Sequence, residues 1–178
     1  MPDTVAIVGA GAAGLATAIF ARRANPGRRI VLLDAARKPG AKILVSGGGR
    51  CNVTNTVVRE TDFWGGKRTI VRQVIRAFPP VRTVGLFQDL GVPLHEEPGG
   101  KLFPDTNRAR DVLAALMSAA TEAAVDFRTG VRVHEVSRVK GGFLLTNSGE
   151  TMAALAADYE VGEATIFRAL QGPFEQVA

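Results

Sequence analysis

Four consecutive apolar residues, Val5 to Val8, run directly into a glycine-rich stretch, which leads into residues with helical apolar spacing. A short apolar run bounded by glycine predicts a buried strand. Ile30 to Leu33 repeat the pattern, and Asn25, Pro26 and Gly27 end the helix between the two runs. Strand, helix and strand of these lengths make one βαβ unit. Helical spacing returns over residues 69 to 77 and 81 to 90, interrupted by Pro79 and Pro80. Thr106 or Asn107 is placed to cap a further helix reaching about Ala124, with Val112, Leu113, Leu116, Met117 and Ala120 on one face. Val125 to Arg128, Val131 to Val136 and Phe143 to Thr146 read as short strands, the last two joined by a turn at Lys140-Gly141-Gly142.

Between these periodic segments lies a long irregular stretch, Arg37 to Lys42, then Ile43 to Ser46, then Gly47-Gly48-Gly49-Arg50-Cys51-Asn52-Val53-Thr54-Asn55. Loops of this length are usually functional. Three successive glycines expose backbone amides, Arg50 offers a planar fork of donors suited to phosphate, and Asn52 and Asn55 offer amide groups for fixed polar contacts. Farther on, His95 beside Glu96 and Glu97 is expected to be a solvated loop histidine rather than an acid or base.

The first turn carries the most specific chemistry. Gly9-Ala10-Gly11-Ala12-Ala13-Gly14 follows a strand and opens a helix, the context in which such a spacing marks a dinucleotide site. Gly9 and Gly11 let the chain turn tightly beside a pyrophosphate, and Gly14 lets the helix pack closely. The amides around Ala12 and Ala13 then face the phosphates with the positive end of the helix dipole behind them. Asp34, closing the second strand, is placed to accept hydrogen bonds from the hydroxyls of an adenosine ribose, and its charge disfavours a 2′-phosphate.

Composition narrows the alternatives. A chain of 178 residues, 46% hydrophobic, fills one ordinary core with an appendage. No stretch approaches the roughly 18 consecutive apolar residues of a membrane span, so the expectation is a cytoplasmic protein without a membrane partner. One cysteine and two histidines provide neither a disulfide framework nor a zinc cluster, so no metal is expected. The net charge of +5 is unevenly spread: residues 1–149 hold 21 of the 22 Lys and Arg and 12 of the 17 acids, whereas residues 150–178 carry −4. An anionic cofactor accounts for part of the basic bulk.

These features resemble the BaiN-like, or aminoacetone-oxidase-like, family of FAD-dependent flavoproteins. The resemblance rests on the Gly9 to Gly14 turn, on Pro39-Gly40-Ala41-Lys42-Ile43-Leu44-Val45-Ser46-Gly47-Gly48-Gly49-Arg50-Cys51-Asn52-Val53-Thr54-Asn55, and on Gly100-Lys101-Leu102-Phe103-Pro104 with the helix that follows. It implies an α/β, Rossmann-like FAD/NAD(P)-binding fold and an FAD-dependent oxidoreductase, with NAD(P)H as a candidate reductant and an unidentified small-molecule substrate. It also implies cofactor contacts from Gly9, Gly11, Ala12, Ala13, Gly14 and Asp34, from Lys42, Gly49, Arg50, Cys51 and Asn52 near the diphosphate or flavin, and from the backbone of Val133 at the adenine. Family members usually carry glutamate where this chain has Asp34. The resemblance runs from about Ala6 to about Ser148, so the expected domain, 1–149, is a truncated one that lacks the later parts of the pocket. No catalytic acid or base is assigned.

Residues 150–178 resemble a resolvase-type helix-turn-helix, with Thr165, Phe167 and Arg168 as candidate DNA contacts. Their net charge of −4 disfavours that partner, because phosphate neutralisation supplies most non-specific DNA affinity. A short helical appendage capping the domain is the plainer expectation. Two alternatives to the enzyme remain: a DNA-binding protein with a relic flavin domain, and a non-functional gene-fusion fragment.

Overall fold

In the computed structural model, which describes residues 4–140 and 142–147, the chain divides into two compact units. One contains the residues up to Gly40 and from Met117 onward; the other is Ala41–Leu116.

The first unit is built on the βαβ pattern. Strand β1 (Thr4–Val8) leads through the glycine turn into α1 (Ala12–Ala24), and β2 (Arg29–Asp34) returns parallel to β1, from Thr4 opposite Arg29 to Val8 opposite Leu33. A third parallel strand, β6 (Asp126–Thr129), pairs with the other edge of β2, giving the order β1-β2-β6. Residues 30 to 33 of β2 are buried because both faces of the sheet are covered. Side chains of a strand alternate between faces. Leu32 meets α1 beside Gly14, whereas Val31 and Leu33 join Ala6 in a cluster with Val133, Phe143 and Leu145 from the hairpin of β7 (Val133–Val139) and β8 (Gly142–Asn147), and with Val131 just before it. Helix α1 contributes Leu15 and Ile19, both fully buried, a burial that stabilises by roughly 1.5–3 kcal/mol per side chain.

The second unit is antiparallel. It holds α2 (Ala41–Val45), a 3-10 turn over Ser46–Gly49, the short β3 (Thr54–Asn55), a second 3-10 turn over Glu60–Asp62, α3 (Arg68–Ala77), α4 (Pro80–Asp89), and the strands β4 (Leu94–Glu97) and β5 (Lys101–Pro104) in the sheet order β3-β5-β4. Pro80 at the first position of α4 stops α3 and starts its successor, as the two prolines predict. The loop Pro98-Gly99-Gly100 closes the β4–β5 hairpin with both glycines left-handed, at φ 89° and 78°.

Several expectations are corrected here. The stretch after Asp34 is not wholly irregular, since it contains α2 and the 3-10 turn. His95 lies in β4, a strand absent from the pattern because His-Glu-Glu is not strand-forming in itself. Helix α5 (Ala109–Glu122) begins after Arg108; neither Thr106 nor Asn107 directly precedes it, and Asn107 takes a left-handed φ of 53° in the turn that leads in. Its buried face, Ala109, Val112, Leu116, Ala119 and Ala120, follows the expected spacing. The tail from residue 148, with Thr165, Phe167 and Arg168, lies outside the described residues.

Candidate cofactor site

In the parallel unit, each glycine of the first turn has a different reason. Gly9 is left-handed at φ 99°, a conformation that disfavours any side chain. A Cβ on Gly14 would lie 1.8 Å from the Gly9 carbonyl oxygen, so the helix approaches the turn more closely than any other residue allows. Gly11 precedes α1 with φ −82°, and a Cβ there would meet nothing within 4 Å. Its small size thus leaves open space in front of the helix. The first turn of α1 carries no acid and no capping side chain, and Ala12 and Ala13 are exposed. Nothing of their own side chains screens the helix N-terminus, which suits an anion.

Asp34 closes this arrangement. Its Oδ2 accepts from the Ala10 amide at 2.6 Å and its Oδ1 from the Ala36 amide at 2.7 Å, while Gly9 donates to the Leu33 carbonyl at 2.7 Å. The carboxylate therefore ties the end of β2 to the glycine turn. Each oxygen keeps a second lone pair for a ligand hydroxyl. Val133 sits at the start of β7, half-buried in the cluster beneath the sheet, where a register shift between Val133 and Glu135 interrupts the hairpin ladder.

In the antiparallel unit, Gly47, Gly48 and Gly49 are all left-handed, at φ 56°, 67° and 84°. A Cβ on Gly47 would come within 2.8 Å of both the Asn52 amide nitrogen and Cε1 of Phe103. The loop therefore lies directly on the Phe103 ring. Cys51 follows, buried and itself left-handed at φ 65°, its amide donating to the Ser46 carbonyl at 2.9 Å. The Val53 amide donates to the Leu102 carbonyl at 2.9 Å, which fixes the loop to β5, and the Asn52 side-chain amide, oriented so that its nitrogen faces acceptors, reaches the Thr54 carbonyl at 2.8 Å and the Leu102 carbonyl at 3.3 Å. Lys42 is exposed on α2.

Arg50 is more constrained than its sequence context suggests. Its Nη1 donates to Oε1 of Glu97, and its guanidinium carbon stands 4.2 Å from the centroid of Phe103. The guanidinium beside Glu97 holds that carboxyl below its ordinary range. His95, two residues back along β4 and so on the same face, places Nε2 3.7 Å from Oε1 of Glu97 and Nδ1 3.4 Å from Oδ1 of Asp105. Asp105 escaped the sequence reading, Glu97 entered it only as a neighbour of His95 and not as a partner of Arg50, and the only signal for Phe103 was its place in the Gly-Lys-Leu-Phe-Pro motif.

A family model describing the HI0933-like protein Rossmann domain matches residues 3–161 of this sequence. The chain belongs to this family. Its relatives include the ribosomal RNA dihydrouridine synthase of Escherichia coli, 35% identical over 146 residues, covering 82% of this chain and 36% of that protein. Another is the 3-dehydro-bile acid delta(4,6)-reductase of Clostridium scindens, 31% identical, covering 85% of this chain and 37% of that protein. The chain thus spans little more than a third of the length of the curated relatives it matches. Among solved structures, 3-ketosteroid-delta4-(5alpha)-dehydrogenase from Rhodococcus jostii is similar at a TM-score of 0.58 and 16% identity, over 83% of this chain and 43% of that one. Escherichia coli quinol fumarate reductase is similar at 0.57 and 21% identity, over 80% and 28%. These likenesses establish the fold, an α/β Rossmann-like domain of the dinucleotide-binding kind. Among the described residues no helix is long and apolar enough to cross a membrane.

Proposed function

We propose that this chain is the FAD-binding part of a flavin-dependent oxidoreductase. The observation that carries the reading is the closed turn in which Gly14 touches the Gly9 carbonyl while Asp34 holds the Ala10 amide. That arrangement presents helix-start amides to a pyrophosphate and a carboxylate to a ribose, the two ends of an ADP moiety. Gly9, Gly11, Ala12, Ala13 and Gly14 form the diphosphate cradle, Asp34 takes the ribose, and the backbone of Val133 takes the adenine. Lys42, Gly49, Arg50, Cys51 and Asn52 serve the diphosphate or the flavin.

Bound FAD supplies electron transfer, and the protein supplies position and electrostatics. The reductase among the relatives and the resemblance to aminoacetone-oxidase-like flavoproteins support a redox role, with NAD(P)H as candidate reductant. Residues 1–149 make up the flavin-binding part and residues 150–178 an appendage; the substrate belongs to the activity of a whole protein.

The test is reconstitution of the purified chain with FAD, followed by removal of the excess. A retained, stoichiometric visible flavin band is the expected result. A colourless protein that melts cooperatively, and so is folded, would overturn the proposal.

A further inference from the structure

We propose that α3 and the residues leading into it form a surface for an anionic lipid bilayer, with Trp64, Ile70 and Val74 entering the headgroup layer and the arginines of the helix drawn by its negative charge. The expectation of no membrane partner rests on the lack of a spanning segment, and a helix lying flat on a bilayer needs none.

Three observations carry it. First, exposed apolar side chains are concentrated here. Of the thirteen large hydrophobics exposed among the described residues, seven lie between Val57 and Val81, with Trp64 84% exposed, Val74 62% and Ile70 56%. Scattered singly they would mean nothing; gathered in one segment they mark a binding surface. Second, α3 divides by face. Ile70 and Val74, one turn apart, stand out in solvent, while Arg68, Arg72 and Arg76 repeat at the same interval on the opposite side, and the helix holds no acid. An apolar face backed by an arginine face is the pattern of a helix that lies in a membrane interface. Third, the charge of the segment is complementary to anionic headgroups. Residues 57–82 hold six Lys and Arg against two acids, of which Glu60 is engaged by Arg72 at 2.7 Å and Asp62 accepts from the Arg59 amide at 2.8 Å. A helix with its side chains is about 10 Å across, roughly the Debye length at 0.1 M salt, so the arginines still sense the headgroups beneath it. A second copy of the chain would set these arginines against each other, a like-charge cost. A nucleic acid would satisfy the arginines and leave Ile70 and Val74 without a role. An anionic bilayer uses both faces.

Trp64 is the single tryptophan of the chain, so its fluorescence reports on this surface alone. The experiment mixes the full chain with vesicles of phosphatidylcholine, and of phosphatidylcholine with phosphatidylserine, and reads co-sedimentation and Trp64 emission. The phosphatidylserine vesicles are expected to bind about tenfold or more tightly than the neutral ones, with emission moved to shorter wavelength and quenched by lipids brominated in the acyl chain. Two double variants, Ile70→Gln with Val74→Gln and Arg68→Gln with Arg76→Gln, change only exposed side chains, so their melts should match the wild type. Each is expected to weaken vesicle binding by about tenfold or more. Folded wild-type protein that leaves the vesicles unbound, binds both compositions equally, or binds with Trp64 emission unmoved would overturn the proposal. A loss confined to the arginine pair would overturn it too, marking a purely electrostatic surface of the kind a nucleic acid uses. Self-association without lipid that the Ile70 and Val74 variant abolishes would instead assign the face to a second copy. Should a variant fail to fold, the wild-type contrast between the two vesicles and the quenching of Trp64 decide alone.

Discussion

In the parallel unit the turn from β1 to α1 is shaped by backbone proximity, with the Gly9 carbonyl filling the space that a Gly14 side chain would need and the Ala10 amide latched to Asp34. In the antiparallel unit the corresponding polar loop is shaped by side chains, with Phe103 beneath Gly47 and Arg50, and Glu97 at the edge of the guanidinium. Backbone-built sites tolerate few substitutions and speak for themselves in a sequence, because only glycine satisfies them. Sites built from side chains tolerate more and depend on partners far away in the chain, 47 positions apart for Arg50 and Glu97.

The strongest way to break the contrast is Gly14→Ala. Its Cβ would lie 1.8 Å from a carbonyl oxygen, so a destabilisation of about 3 kcal/mol or more, or failure to fold, is expected in a denaturant titration. Gly11→Ala sharpens the point: its Cβ has open space, so the fold should persist at a cost of about 1 kcal/mol, while on the proposed reading FAD binding drops because the methyl would enter the diphosphate cradle. Next in size is Asp34→Asn, which sets an NH2 group against one of two donating amides. The expected loss is about 1.5–3 kcal/mol, read from the same titration, with Asp34→Glu restoring part of it.

Gly47→Ala tests the antiparallel unit on its own terms. The left-handed φ of 56° and the contacts to Asn52 and Phe103 predict about 1–3 kcal/mol, together with a loss of order around Arg50. Acid sensitivity comes after that. Arg50 lowers the carboxyl of Glu97, Arg72 lowers that of Glu60, and at Asp126 burial opposes the charge but hydrogen bonds from Arg128 and Arg29 outweigh it. Folded values below the ordinary 4.5 and 3.8 mean that the ionised forms stabilise fully above those values, and that this contribution is lost as pH falls through the lowered ones. The melting temperature should therefore be level near neutrality and decline in acid. Arg72→Ala, which removes an exposed pair, should shift the melting temperature least and slightly flatten the acid decline.

Much of the parallel unit was legible because β1 and β2 are apolar runs ended by glycine or acid, and because α1 keeps helical spacing; α5, which runs from one unit into the other, was legible for the same reason. The hairpin β4–β5 was not, since the strand character of Leu94–Glu97 comes from pairing with Lys101–Pro104 and not from its own residues. Helix α2, at five residues, is too short to show a period. The dinucleotide fingerprint singled out Gly9, Gly14 and Asp34, which the structure brings close together, yet the bond from Ala10 to Asp34 depends on how the chain closes across 24 positions. Arg50 stood out by residue type alone, and its partners could be found only once β4 and β5 were in register.

Helix α3 has none of its ten residues fully buried; Val71 and Ile75 are half-covered, Ile70 and Val74 face outward, and Arg72 ties it to Glu60. An isolated helix of that length is marginal in water. In terms of local opening, α3 is therefore the segment whose amides should exchange with solvent first, at a free energy well below that of β2, so the antiparallel unit can loosen at this helix while the glycine turn stays closed.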